Sequence, residues 1–124
     1  MTLIDLLVKQ TKDAHIWTNK LIDSIPIEHW DDTSDTLASN LSWQVGHLMI
    51  RKYYHAILVV TGFDEEITQK IDLKAHNHWY GYDSVPADQV GQNDPDILRE
   101  QLHFMQHKVI KNVSNLTLKD LESK

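Results

Sequence analysis

Apolar residues recur at helical spacing in three stretches of this chain, and polar, turn-rich segments separate them. In the first stretch, Leu3, Leu7, Ala14, Trp17, Leu21 and Ile25 follow one another at steps near three and four. That spacing predicts a helix from Thr2 to about Ser24 with one stripe facing a bundle core. Thr2 with Asp5 three residues on resembles a capping box, and Pro26 ends the helix. His15, beside Ala14, falls at the stripe's edge and reads as a boundary histidine on the helix surface.

The second helix is predicted from Asn40 or Ser42 to Thr61, with Gly62 just past its end, where glycine is favoured. Leu41, Val45, Leu48, Met49, Ala56, Val59 and Val60 fill one broad face, and Trp43, Ile50, Tyr54 and Ile57 lie on another. A helix apolar on two sides packs against at least two neighbours. Gly46 in its interior costs up to ~1 kcal/mol relative to alanine. It either admits a close approach beside His47 or is a tolerated defect.

The third helix has the clearest start, with Asp94 as N-cap and Pro95 at the first helical position. Leu98, Leu102, Met105, Val109 and Leu116 share one arc, with Val113 at its edge. His103 and His107 form a His-x-x-x-His pair, a spacing used at metal sites. They point about 120° and 160° from the centre of that arc, so the pair is expected to look outward. An outward pair holds a metal only where another chain or helix covers it.

The connections carry their own signals. Residues 26–39 are rich in Asp, Ser and Thr and read as a loop, with Trp30 as its anchor and no partner evident for His29. Residues 63–94 form a long connection in which Glu65 to Leu73 predicts a short helical turn. The aromatic run from His76 to Tyr82 is expected to lie across one end of the bundle as a lid. His76 and His78 would face the same side if that run were extended, but no third ligand of similar quality accompanies them. The favoured reading is a loop with aromatic anchors and solvated histidines.

One polar stripe runs down the second helix. At ~100° per residue, Gln44, His47, Arg51 and His55 fall within roughly a quarter-turn. Two readings stand: the stripe is the only wet face of that helix, or it lines a polar site within a bundle.

Composition narrows the function. The chain has 124 residues, enough for a single domain (1–124) with one core, and no repeat or low-complexity segment. It has no cysteine, which excludes disulfides, thiolate ligands and cysteine nucleophiles and fits a cytoplasmic protein. The net charge of -6 and the lack of any Lys/Arg block disfavour nucleic acid as a partner. The N-terminus carries Asp5 where a signal peptide has positive charge, and the longest apolar run, Ala56 to Val60, is far short of a membrane span.

The run Leu41-Ser42-Trp43-Gln44-Val45-Gly46-His47-Leu48, followed by Gly62 and preceded by a Trp-bearing helix, resembles the DinB/YfiT-like superfamily. These are bacterial four-helix-bundle proteins, often described as metal-dependent enzymes. The likeness covers most of the chain, through the Asp-Pro-capped helix and a Leu-x-x-Leu-like tail. It implies an all-α, up-down bundle with three long helices here and a fourth missing or supplied by a partner. It also implies a divalent ion such as Zn²⁺ or Ni²⁺, held by three histidines. His47 matches the ligand position on the second helix; the other two belong to a His-x-x-x-His pair on a last helix. No such helix precedes Lys124, and His103 and His107, on the third helix, do not inherit the role. The expectation is therefore a truncated chain or a short member with an incomplete site. Truncation is favoured, because three helices leave the second short of neighbours, although a homodimer would also supply packing.

The relatives include hydrolases and low-molecular-weight-thiol transferases, with a small-molecule substrate unknown here. Arg51, one turn beyond His47, would meet an anionic substrate or else be a surface charge. Trp43, one turn before, would form a pocket wall or else simply pack. The competing class is a non-catalytic helical bundle that dimerises or binds a small apolar ligand.

Overall fold

The computed structural model describes residues 2–32, 39–58, 62, 64–81, 83–117 and 119. Among these the protein is all-α. Helix α1 spans Leu3–Asp23, α2 Leu41–Lys52, α3 Glu65–Lys70, α4 Leu73–Tyr80 and α5 Pro95–Ser114. No helix among the described residues is long and apolar enough to cross a membrane. The expected helix end at Val59 to Thr61, the loop at 33–38, Tyr82 and most of the tail beyond Thr117 lie outside the described residues.

Side-chain caps set the helix starts. Thr2 Oγ1 accepts from the Asp5 amide at 3.1 Å while the Thr2 amide donates to Asp5 Oδ2 at 3.0 Å, the reciprocal box expected from the sequence. Asn40 caps α2 through the Trp43 amide at 2.8 Å. Asp64, Asp72 and Asp94 cap α3, α4 and α5. Each cap satisfies a backbone donor that has no partner within its helix.

Helix α5 is the central strut. Both α1 and α2 pack on it, and α2 also packs on α4, so the two-sided apolar pattern of α2 is met by two neighbours. Leu98, Leu102 and Met105 of α5 are fully buried against Val45, Met49, Ile57, Ile67 and Ile71. After Lys52 the chain widens into a π-helical turn over Tyr53–Leu58. Gly62, at φ 82, donates its amide to the Leu58 carbonyl at 3.0 Å in the left-handed conformation expected past a helix end. Trp30 is fully buried and donates Nε1–H to the Ile25 carbonyl at 3.0 Å, anchoring its loop. His29 finds the partner the sequence did not supply, Asp32, at 2.8 Å.

Three expectations are corrected. First, the apolar stripe predicted to point α1 inward points out: Trp17 is 72% exposed, Leu21 70% and Leu3 50%. Helix α1 carries a second face, turned by about 100°, on which Ile22 and His15 are buried. Polar contacts fix that rotation. Asn19 and Gln106 exchange hydrogen bonds at 3.0 and 2.9 Å, and His15 meets Lys52 at 3.1 Å.

Second, His15 is not a surface residue but is 7% exposed. Third, the run from His76 is no lid. Its residues His76 to Tyr80 belong to α4, where residues two apart project about 200° from each other, so His76 is buried and His78 exposed. His76 Nδ1 lies 3.0 Å from the Asp72 carbonyl oxygen and its Nε2 lies 3.1 Å from Gln101 Oε1. A helix wins here because Asp72 caps it and because Tyr80, at its end, is pulled into the core.

Candidate functional site

Because α1 and α2 both rest on α5, a groove of about 550 Å³ runs between them. Leu21 and Thr18 form its α1 wall, and Leu41, Gln44, His47, Leu48 and Arg51 its α2 wall. Three members of the predicted polar stripe therefore do share one space. His55 is exposed and falls outside it, beyond the point where α2 widens at Tyr53. The stripe is both the wet side of the helix and the lining of a recess.

His47 is the best-positioned group in the groove. Its Nδ1 lies 2.7 Å from the Tyr80 carbonyl oxygen. A carbonyl only accepts, so Nδ1 carries a proton, and in the neutral ring Nε2 holds the lone pair. Trp43 stacks on the same ring, with centroids 4.8 Å apart and planes 8° from parallel. Trp43 is itself held by a bond from Nε1 to Ser84 Oγ at 2.8 Å, and that hydroxyl donates to the Gly81 carbonyl at 2.7 Å. Tautomer and ring plane are both fixed by this surround. Gly46 makes it feasible: a Cβ there would meet the ring of Tyr80, so only glycine lets α4 come close enough to offer its carbonyl. Of the two readings of Gly46, close approach is the one realised.

Trp43 thus sits behind His47 as support and does not line the groove. Arg51 is half-buried along the α2 wall. Gln44 donates to Ser39 Oγ at 2.9 Å. Sequence reasoning missed Tyr80 and Ser84, which orient His47 and Trp43. Their only signal was their place in an aromatic, turn-rich segment, which says nothing of which carbonyl or hydroxyl meets which ring.

The histidines do not otherwise converge on this groove. His103 and His107 are exposed on α5, as the periodicity predicted, and line a different recess facing α1. No group of three or more His, Cys, Asp or Glu side chains among the described residues could hold a metal ion. The Arg51 guanidinium shares the groove with His47.

The fold and groove define a class: a small all-α protein with a polar-striped recess between two helices that rest on a third. Comparisons with protein families, with curated proteins and with solved structures find no match for this chain.

Proposed function

We propose that this chain is a DinB/YfiT-like helical-bundle protein that works as a homodimer, with its small-molecule site in the α1/α2 groove and His47 as the reactive group. The observation that carries this reading is the Nδ1 bond from His47 to the Tyr80 carbonyl at 2.7 Å. Metal-ligating histidines typically donate their second ring N–H to a carbonyl or carboxylate, which fixes the tautomer and ring plane. In the enzyme form of this reading, a hydrolase or low-molecular-weight-thiol transferase, His47 would be one ligand of Zn²⁺ or Ni²⁺. The described residues of one protomer do not fit a complete metal site, so the remaining ligands come from outside them. Arg51 would then anchor an anionic substrate.

Elemental analysis of the freshly purified full chain tests the metal. Stoichiometric metal that is lost in His47→Ala supports the reading, and protein that stays metal-free after incubation with Zn²⁺ or Ni²⁺ near neutral pH sinks it.

The dimer rests on a separate observation. Leu3, Leu6, Trp17 and Leu21 of α1 are large, apolar and exposed, and at ~100° per residue they fall on one face of the helix. An exposed apolar helix face suits an interaction site, and a second copy offers the same face in return. Trp17, an aromatic at the middle of the stripe, is placed as its anchor. Replacing Trp17 with Ala should weaken self-association by about 30-fold or more, read by sedimentation equilibrium. A wild-type chain that is monomeric at hundreds of micromolar refutes the dimer.

A second reading is favoured by the leucine-lined wall of the same groove. Leu21, Leu41, Val45 and Leu48 suit a small apolar ligand with no reaction. A dimer without metal, whose groove takes up an apolar fluorescent probe, supports this alternative over the enzyme.

A further inference from the structure

The recess on the opposite side of α1 has a different character. It encloses about 410 Å³ between α1 and α5 and is lined by Lys12, His15, Ile16, Asn19, His103, Gln106, His107 and Ile110. The chain carries a net charge of -6, yet no carboxylate lines this recess. Lys52 reaches it from α2: its Nζ lies 3.1 Å from Nε2 of His15. An ammonium only donates, so Nε2 accepts and His15 is the neutral tautomer protonated on Nδ1. Neither Lys12 nor Lys52 forms an ion pair among the described residues. Lys52 is half-buried, so its charge is partly withdrawn from water with a neutral imidazole as its neighbour. A cation in that position is stabilised by an opposite charge, and the described residues pair it with none.

We propose that the α1/α5 recess binds a small organic oxyanion, a carboxylate or phosphate monoester, between Lys12 and the Lys52–His15 pair. His103 and His107 face the site from α5 and extend its donor set, while Ile16 and Ile110 offer apolar contact to the body of the ligand. The volume suits a molecule larger than a bare ion. A metal suits it less well. The available lone pair of His15 already accepts from Lys52, and two ammonium groups repel a divalent cation.

Benzoate and phenyl phosphate share one apolar body and differ in headgroup, so titrating the full chain with each separates the two sources of the same chemistry. Binding is read by calorimetry and by the ring resonances of His15. Burial, Lys52 and His107 together hold that ring's pKa down to about 4. A bound anion favours the imidazolium, so saturation should move the His15 titration upward. Lys12→Gln and Lys52→Met should each weaken binding by tenfold or more. Lys12 is exposed, so its replacement leaves the fold intact. The tighter of the two probes identifies the headgroup. The proposal is overturned if neither anion binds at millimolar concentration or if both variants bind as the wild type does. It is equally overturned if Zn²⁺ occupies the three histidines while the anions do not bind.

Discussion

Gly46→Ala should destabilise the protein by about 2–3 kcal/mol, although alanine is the better helix former by about 1 kcal/mol. The new methyl would lie well inside contact distance of the Tyr80 ring. That ring cannot step aside, because Tyr80 is 1% exposed and packed in the core. The strain therefore passes to the backbone, and α4 moves off α2. The shift also lengthens the bond from His47 Nδ1 to the Tyr80 carbonyl, so the damage reaches the candidate site. Two measurements check this. Urea unfolding should show a lower midpoint with an unchanged slope, and the His47 ring protons should lose the chemical shifts set by Trp43 stacking. A variant as stable as the wild type would mean that α4 does not approach Gly46 closely.

Gly46 also shows what the sequence could and could not say. The 3.6-residue period found all three long helices, and the capping residues located the starts of α1 and α5 to within a residue. Those signals are local, carried by hydrogen bonds and spacing within one segment. Whether Gly46 was a defect or a point of contact depended on Tyr80, which lies outside the helix. The inverted face of α1 has the same origin. Its sequence shows one apolar stripe, which was expected to face the core. The face that is buried instead carries Ile22 and long-range polar contacts, Asn19 with Gln106 and His15 with Lys52. No pattern within residues 3–23 encodes those partners. Helical spacing placed Gln44, His47 and Arg51 on one stripe, but that the stripe lines a recess depends on α1, which supplies the other wall. The tautomer of His47 did not follow from spacing either, because a backbone carbonyl sets it and every residue has one.

The same buried contact gives the second large effect, a loss of stability in mild acid. Burial first, then Lys52 and His107, lower the His15 pKa from 6.5 to about 4. The unfolded chain takes up this proton near pH 6.5 and the folded one only near pH 4. Between those values the unfolded state binds more protons, so unfolding becomes easier as pH falls. The contribution of neutral His15 is complete above pH 6.5 and gone below about pH 4. At about 1.4 kcal/mol per pH unit, and discounted because the recess opens to water, the loss across the window is about 2–3 kcal/mol. Lys12, Lys52, His103 and His107 all face this ring, and none of them is a carboxylate that would favour its protonation. Carboxylates elsewhere add their own acid sensitivity near the lower end of the window, so the test is a difference. Unfolding free energies of wild type and His15→Leu, measured from pH 7.5 to 4.5, should diverge in slope between pH 6.5 and 4.5, with the variant flatter. Lys52→Met should fall between them, because removing the ammonium lets His15 accept its proton at higher pH. Parallel profiles for wild type and His15→Leu would show that His15 titrates as an ordinary solvated histidine.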